Sequence, residues 1–341
     1  MMLLPQRKSD HLRITLDQDV QSRAEHGLDA YQFEHNALPE IDLNEVDLST
    51  SFLHHPLNAP LMISSMTGGA ADTAQVNQHL AETAQALGIA MGVGSQRAML
   101  EFPEMAYTFQ VRNYAPDILL FSNIGAVQFN YGLTIDQCRH LVESIQANAL
   151  ILHLNPLQEA LQPEGDTNFQ NLLPKIEDLC RHLEVPVIAK EVGTGISLAT
   201  AKRLIDAGVR AIDVAGTGGT SWALVEMYRM KYPSRQNIAA QFADWGHTTA
   251  ECIRSIRTTY PDLPLIASGG IRHGIHAAKA IGLGADLVGM TTPFLRPAME
   301  STEACISASE EIIETMRIAS FLIGAKTFQE MKSTPQLTRV R

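Results

Sequence analysis

One apolar segment of the chain leads into several residues that could do chemistry, in the order HLNPLQE at positions 153–159. His153 and Asn155 are two positions apart, so in a strand their side chains lie on the same face. Gln158 and Glu159 follow in the next turn. A zinc site would need several His or Cys ligands, whereas one carboxylate beside a phosphate group suits Mg²⁺. The cluster therefore predicts a polar site with Glu159 as a Mg²⁺ ligand. The alternative is a buried core histidine with a surface glutamate.

A second motif predicts a phosphate site. The apolar run at 264–268 is followed by GGIR (269–272), and the run at 285–290 is followed by Thr291 and Thr292. Glycines let the backbone approach an anion closely, and backbone N–H groups at a helix start can bind phosphate. Thr220, in the glycine-rich segment 216–222, could donate to the same phosphate. A plain glycine-rich turn is the alternative.

Lys190 lies inside the apolar run VIAKEV, where an unpaired charge is costly. Three interpretations stay open for this residue. It forms an ion pair with a neighbouring carboxylate such as Glu191, acts as a Schiff-base nucleophile, or places a cation against an electron-rich cofactor ring. Small polar residues also end the first three runs, at 65–69, 94–97 and 122–125. They favour one large ligand across the site, held partly by the edge of a flat ring.

The elements that must position these residues form a repeating pattern of short apolar runs and amphipathic segments. The runs occupy 60–65, 89–93, 117–123, 149–155, 186–191, 210–215, 264–268 and 285–290. Helices are expected at 72–87, 134–147, 169–183, 197–207, 248–260, 275–281 and 303–322. Alternating strands and helices imply parallel strands, and eight units close most naturally into a TIM-type (β/α)₈ barrel. We expect a single α/β domain over 1–341, with an N-terminal arm at 1–59, the barrel at 60–323, a C-terminal helical extension, and a mobile tail at 324–341.

Charge and composition narrow the class of function. The net charge is −11, so nucleic acid and anionic membranes are not expected partners, and an anionic substrate needs local cations. The 4 cysteines form no CxxC pair. The N-terminus has no secretory pattern and no run is long enough to cross a membrane, so we expect a cytoplasmic protein. His273 and His276 have the spacing of a metal pair, but the sequence shows no carboxylate or third ligand beside them.

The motifs RK (7–8), SMTGG (65–69), GSQR (94–97), SNIG (122–125), HLNPLQE (153–159), AKEVG (189–193), GGTSW (218–222) and ASGGIR (267–272) together resemble type 2 isopentenyl-diphosphate delta-isomerase, the FMN-dependent form. The resemblance runs from the arm to the eighth strand. It implies an FMN-binding barrel that interconverts isopentenyl and dimethylallyl diphosphates with reduced FMN, Mg²⁺ and NADPH as reductant.

The resemblance also implies roles for individual residues. FMN contacts would come from Ser65, Met66, Thr67, Ser95, Asn123, Lys190, Thr220, Gly270, Ile271, Arg272, Thr291 and Thr292. The substrate would contact Arg7, Lys8, Ser95, Gln96, Arg97, His153, Asn155 and Gln158. Gln158 and His153 would serve catalysis beside reduced FMN as the acid and base, and Glu159 would bind Mg²⁺. The eighth loop reads MTTPF (290–294), where the family more often has Ala-Arg-Pro-Phe, so backbone contacts there are better supported than side-chain ones.

Other functions compete with this interpretation. An FMN-dependent 2-hydroxy-acid-type dehydrogenase would need a histidine base with paired arginines, and none is evident beside His247. A Schiff-base aldolase would use Lys190. A non-catalytic flavin-binding barrel belongs to a different class altogether. A homo-oligomer, tetrameric or octameric, is expected by analogy with flavin barrels.

Overall fold

The N-terminal arm contains a helix, a strand and a hairpin in the computed structural model, which describes residues 4–340. Its elements are helix α1 (Leu4–Asp17) and strands β1 (Tyr31–Phe33), β2 (Thr50–Phe52) and β3 (His55–Leu57). The β2–β3 turn places Leu53 at φ 48° and His54 at φ 68°, because a two-residue hairpin turn needs left-handed backbone. His54 is therefore part of a tight turn.

Eight parallel strands form a closed ring. They are β4 (Leu61–Ile63), β5 (Ala90–Gly92), β6 (Leu120–Gly125), β7 (Ala149–Leu154), β8 (Val187–Glu191), β9 (Ala211–Asp213), β10 (Leu265–Ala267) and β11 (Leu287–Met290). Strand β11 pairs with β4, which closes the barrel. The (β/α)₈ fold and all of the expected strands are confirmed.

The register of the strands aligns residues near the top of the barrel. Gly125 pairs with His153, His153 with Lys190, and Lys190 with Asp213. The polar side chains of three neighbouring strands therefore meet at one level, where a barrel carries its active site.

Helices follow the strands: all seven expected helices form, and besides α1 six further helices were not expected. Together they are α2 (Ala74–Leu87), α3 (Arg97–Glu101), α4 (Ile135–Ser144), α5 (Pro156–Leu161), α6 (Leu172–His182), α7 (Leu198–Asp206), α8 (Trp222–Arg229), α9 (Pro233–Ala240), α10 (Thr249–Thr259), α11 (Gly274–Gly282), α12 (Thr292–Glu300), α13 (Thr302–Leu322) and α14 (Phe328–Lys332). Thr134 and Ser197 cap α4 and α7, since each side chain accepts a bond from a backbone N–H of the first turn.

The C-terminal tail differs from the expected mobile segment. It contains α14 and a last strand, β12 (Leu337–Arg339), which pairs antiparallel with β1 of the arm. Phe328 and Met331 are buried in the main core, and Leu337 packs against it. The residues that make these apolar contacts are far apart in the sequence, so the polar composition of the tail did not indicate them.

Two apolar cores stabilise the barrel. The larger one lies between strands and helices, and the smaller one fills the lower interior. Phe52 and Leu57 of the β2–β3 hairpin belong to the smaller core and close its lower end. Across residues 4–340 we find no helix that combines the length and the apolar character of a membrane span.

Candidate active site

A cavity of about 290 Å³ opens where the barrel strands end. It brings together every predicted site residue except one: Arg7, Lys8, Ser65, Met66, Thr67, Ser95, Arg97, Asn123, His153, Asn155, Gln158, Glu159, Lys190, Thr220, Gly270, Ile271, Arg272, Thr291 and Thr292. The arm, the fourth-strand cluster and the glycine motif therefore belong to one site.

Gln96 is the exception and corrects the predicted substrate contact. Its side chain is fully buried. Its amide donates to the Leu141 carbonyl at 3.2 Å, and its Oε1 accepts from the Ser122 hydroxyl and from the Asn123 N–H. An amide bonded to three neighbours supports the loop beneath the cavity. Gln96 lies between Ser95 and Arg97 in the sequence, and this position alone could not show that its side chain points away from the cavity.

Five glycines pack backbone against backbone beside the cavity, and we call Gly216, Gly218, Gly219, Gly269 and Gly270 the glycine cluster. A Cβ on Gly269 would lie 2.1 Å from the Gly216 carbonyl oxygen, and Gly270 has φ +73°. The Nη2 of Arg272 donates to the Gly218 carbonyl at 3.1 Å and to Gln21 Oε1 at 2.7 Å. The packing admits only glycine and leaves backbone close to the cavity, as a phosphate site requires.

Two serine hydroxyls at the end of the first barrel strand fit a flavin. Among residues 4–340 the buried hydroxyls of Ser64 and Ser65 have no hydrogen-bond partner, and both residues line the cavity. Buried polar atoms are normally paired. Together with the glycine cluster, these free groups fit the edge of a heteroaromatic ring and its phosphate, so the donor set suits FMN.

Lys190 pairs with a carboxylate that was not among the expected partners. Its Nζ lies 3.3 Å from Asp213 Oδ2 and donates to the Glu191 carbonyl at 3.0 Å. The Glu191 side chain instead accepts four consecutive backbone N–H groups, at residues 192–195. A lysine held in a buried ion pair favours a fixed cation beside the cavity over a Schiff-base nucleophile.

His153 is oriented by Asn123. Its Nδ1 lies 2.8 Å from Asn123 Oδ1, so Nδ1 donates and Nε2 keeps its lone pair. Burial, together with the charges of Lys8 and Lys190, lowers the pKa of His153 to about 3. The imidazole is therefore neutral at physiological pH and can accept or orient a hydrogen bond there.

Glu159 is a buried carboxylate at the start of α5. Its Oε1 accepts from Asn155 Nδ2 at 2.9 Å, and its Oε2 accepts from the Asp166 N–H at 2.7 Å and from the Gln162 side chain. Burial raises the pKa of Glu159 in spite of these donors. Asn155 Oδ1 is buried without a partner within residues 4–340. An oriented carboxylate beside a free amide oxygen has the chemistry that Mg²⁺ prefers.

Glu226, on α8, supports the site from behind the cavity, and no sequence motif indicated it. Its Oε1 lies 2.9 Å from His11 Nε2 of the arm and 3.5 Å from Gln158 Nε2, and its Oε2 accepts from Arg229 at 2.5 Å. Burial acts to raise the pKa of Glu226, but the His11 and Arg229 partners outweigh burial and lower it. It therefore ties the arm to Gln158 as a carboxylate. Its only sequence sign was an acidic residue shortly after the GGTSW motif.

Arg7 and Lys8 enter the cavity from α1. Burial and the neighbouring Arg97 lower the pKa of Arg7, and burial with both arginines lowers the pKa of Lys8 to about 8. The Arg7 Nε is buried without a hydrogen-bond partner in the described part of the chain. Arg7, Lys8 and Arg97 lie close enough to lower the pKa of Lys8, and such a cluster of cations favours binding of a highly charged anionic ligand.

A second polar cluster lies beside the glycine cluster. His26, Asp29 and His276 have possible ligand atoms within 4.8 Å of one another, so His276 has the third ligand and carboxylate that its sequence neighbourhood lacked. However, the Leu28 N–H donates to His26 Nδ1 at 3.0 Å, which leaves the proton on Nε2, the atom nearer to Asp29. A metal bound at Nε2 would move the imidazole proton to Nδ1. The Nδ1–H and the Leu28 N–H would then point at each other, with no acceptor between them. The hydrogen bonds favour a packed support over a metal centre.

The barrel, the glycine cluster and the cavity define an FMN-dependent (β/α)₈ protein. The profile of the family described as FMN-dependent dehydrogenase matches residues 142–338. Two solved structures share the fold at low identity. A lactate oxidase from Pediococcus acidilactici has a TM-score of 0.70 and 18% identity, covering 100% of this chain and 96% of its own. A flavocytochrome b2 variant has a TM-score of 0.68 and 16% identity, covering 94% of this chain and 79% of its own.

Relatives of higher identity define the family more narrowly. The isopentenyl-diphosphate delta-isomerase of Nostoc sp. is 53% identical, covering 98% of this chain and 96% of the relative. Those of Stutzerimonas stutzeri and Rickettsia bellii are 55% and 49% identical, with 94% and 97% of this chain covered and the same shares of the relatives. The chain belongs to the isopentenyl-diphosphate delta-isomerase family.

The competing dehydrogenase interpretation finds no support in the site. His247, the histidine considered as a base for a dehydrogenase, is exposed and does not line the cavity. The likeness to lactate oxidase is a likeness of fold.

Proposed function

We propose that this chain interconverts isopentenyl and dimethylallyl diphosphates, using reduced FMN and Mg²⁺. One observation carries the proposal: cations of the arm, the neutral His153, the amide of Gln158 and the carboxylate Glu159 share one cavity with the glycine cluster. The names of the relatives support it. A redox enzyme for a small acid would not need this number of cations together with a metal carboxylate.

The diphosphate binds at the cationic end of the cavity. Arg7 and Lys8 from α1 and Arg97 from α3 line it beside Glu159. Glu159 would hold Mg²⁺ against the diphosphate, with Asn155 Oδ1 as a neighbouring oxygen ligand. Local cations are necessary because the chain as a whole carries a charge of −11.

The hydrocarbon end of the substrate lies toward Gln158, His153 and the FMN ring. Reduced FMN, when bound, supplies an electron-rich face and groups that exchange protons. Glu226 Oε1 accepts from Gln158 Nε2 at 3.5 Å and so orients the Gln158 amide, which would position the substrate by hydrogen bonding. His153 accepts a hydrogen bond at Nε2, because Nδ1 already donates to Asn123.

The arm excludes water from this chemistry. Helix α1 is fixed to α8 through His11 and Glu226, and its His11 ring contacts Trp222 edge to face at 5.1 Å. The Nη2 of Arg296 caps its last turn by donating to the Leu16 carbonyl at 2.6 Å. Protonation of an alkene creates positive charge that water would capture, so a closed cover protects the reaction.

NADPH as the reductant, a cytoplasmic location and a tetrameric or octameric assembly stay predictions. They are consistent with a small-molecule isomerase and have no bearing on the geometry of the cavity.

An anaerobic assay with isopentenyl diphosphate, FMN, NADPH and Mg²⁺ tests the proposal. We expect dimethylallyl diphosphate to form, and formation to stop when FMN, the reductant or Mg²⁺ is omitted. Full activity without FMN, or no product with all components present, would refute the proposal. Q158A is the matched variant, and we expect it to retain FMN while turnover falls.

A further inference from the structure

We infer that Asp166 is a positioning residue that joins the two halves of the diphosphate site, the cation Arg97 and the metal carboxylate Glu159. The inference rests on the proposed function. Asp166 lies in the connection between α5 and α6, outside every motif that suggested a role in the site. It contacts one half through its side chain and the other through its backbone.

The side chain of Asp166 orients Arg97. Arg97 Nη1 donates to Asp166 Oδ2 at 2.5 Å, and Gln128 Nε2 donates to the same oxygen at 3.0 Å. Arg97 and Gln128 both line the cavity, whereas Asp166 stands behind them. A carboxylate that binds a cavity cation from behind limits the directions in which the guanidinium can point.

The backbone of Asp166 orients Glu159. Its N–H donates to Glu159 Oε2 at 2.7 Å. The residue before it, Gly165, packs so closely that a Cβ there would lie 1.8 Å from the Glu159 carbonyl oxygen. The connection is therefore pressed against the first turn of α5, and movement of Asp166 displaces the carboxylate donor and the Arg97 partner together.

A second carboxylate on Arg97 provides a contrast. Arg97 Nε donates to Glu101 Oε1 at 2.5 Å, and the Glu101 side chain is 42% exposed against 15% for Asp166. Two carboxylates on one guanidinium compete with an incoming anion. Among the described side chains, Glu101 hydrogen-bonds to Arg97 only. Because Glu101 is the more exposed partner, water can replace it. Its removal therefore leaves the Arg97 charge available to the diphosphate. Removal of the Asp166 side chain frees the same charge. It also loses the contacts to Arg97 and Gln128 that hold the connection in place, so the backbone N–H that Glu159 accepts is no longer fixed in position.

The test compares D166A, D166N and E101Q as FMN-loaded proteins. The measurements are KM and kcat for isopentenyl diphosphate, the Mg²⁺ concentration for half-maximal rate, and calorimetric binding of inorganic pyrophosphate with Mg²⁺. For D166A we expect KM and the half-saturating Mg²⁺ to rise at least about tenfold, the factor for loss of one charge-assisted hydrogen bond, with a smaller change in kcat. Both variants keep the backbone N–H, but D166N also keeps the side-chain shape and one oxygen that can accept from Arg97, so it should lie between D166A and the natural chain.

E101Q shows whether the effect of D166A comes from lost orientation of the site or only from the lost negative charge. We expect its KM and its pyrophosphate dissociation constant to stay equal or fall. The same rise in E101Q and D166A, or an unchanged Mg²⁺ requirement in D166A, would overturn the inference. FMN content, expected to be equal in all four proteins, controls for folding. If the natural chain does not turn over isopentenyl diphosphate, the proposed function fails, while pyrophosphate calorimetry still decides the role of Asp166.

Discussion

Lys8 is a cavity residue whose charge changes with pH close to neutrality. It lies near Arg7 and Arg97, and burial with these charges lowers its pKa to about 8. A lysine is cationic below its pKa and neutral above it. Of the three cations at the diphosphate end of the cavity, Lys8 therefore loses its charge as the pH rises through about 8, while Arg7 and Arg97 keep theirs.

The pH dependence of substrate capture follows from this. We expect kcat/KM for isopentenyl diphosphate, which reports groups of the free enzyme, to fall as the pH rises through about 8. K8R should move this limb to higher pH, because a guanidinium stays charged. Steady-state rates from pH 6 to 10 check the prediction, and the same limb in K8R would contradict it.

Glu159 responds to pH in the opposite direction. Its pKa is raised by burial, and a proton competes with Mg²⁺ for the carboxylate. The Mg²⁺ concentration for half-maximal rate should therefore increase as the pH falls toward that raised pKa. In E159Q it should increase at least about tenfold and lose this pH dependence. Mg²⁺ titrations at several pH values measure both effects, and an E159Q titration like that of the natural chain would argue against the metal role.

Individual side-chain contacts were harder to predict from the sequence than residue types. The types in HLNPLQE and the spacing of His153 and Asn155 were sufficient to place both in the site. The partner of Lys190 was not predictable, because Asp213 reaches it across the register of two strands. Gln96 and Glu226 show the same limit, since side-chain direction and contacts between distant helices leave no local pattern.

The loops after β9 and β10 act as one element because their glycines interlock. A Cβ on Gly270 would lie 2.7 Å from the Gly218 carbonyl carbon, and Gly270 has φ +73°. Any side chain there must push the two loops apart. The phosphate site therefore depends on the absence of side chains as much as on Arg272.

G270A should weaken FMN binding strongly while the barrel still folds. Gly132 offers a matched control, since it has φ +97° and no atom lies within 4 Å of an added Cβ. G132A carries only the cost of left-handed backbone, about 1–2 kcal/mol, and should bind FMN normally. Flavin fluorescence quenching gives the dissociation constants. Equal affinity in the two variants would exclude the glycine cluster as the phosphate site.

Helix α1 acts as a cover that carries two of the cations. A chain lacking residues 1–12 should show a sharply higher KM for isopentenyl diphosphate and nearly unchanged FMN binding, because the glycine cluster is not part of α1. R13Q is the control on the same helix, since Arg13 is 71% exposed and pairs with Asp10. An unchanged KM in the shortened chain would refute the role of the arm.

At the scale of elements the sequence was highly informative. Short apolar runs with Gly, Ser or Asn at their ends predicted all eight barrel strands, and amphipathic segments such as 134–147 and 197–207 predicted helices. The pairing of β1 with β12 was not predictable, because it joins residues near both ends of the chain. Pairing between short polar strands that are distant in sequence leaves no local pattern of apolar and polar residues from which it could be predicted.

In the molecule as a whole, the apolar core that stabilises the barrel and the polar cavity that carries the chemistry lie at opposite ends of the barrel axis. The lower end is closed by the β2–β3 hairpin, where Phe52 is 2% exposed and contacts Phe121 edge to face at 6.4 Å. The upper end contains the polar cavity. The arm therefore serves both ends, with α1 above and the hairpin below.

F52A should destabilise the fold by about 3–5 kcal/mol, the usual cost of removing a buried phenylalanine. L38A in the same arm is the control, because Leu38 is 72% exposed. Denaturant unfolding of the two variants measures the difference. Similar stability in both would show that the hairpin does not close the lower core.

The central claim is that this barrel uses its flavin for isomerisation without net oxidation. The most direct measurement follows both diphosphate isomers by anaerobic NMR while NADPH consumption is recorded. Starting from either isomer, the account predicts the same final ratio, with NADPH consumed only until the bound FMN is reduced. NADPH consumption in proportion to substrate converted, or no conversion in either direction, would contradict it.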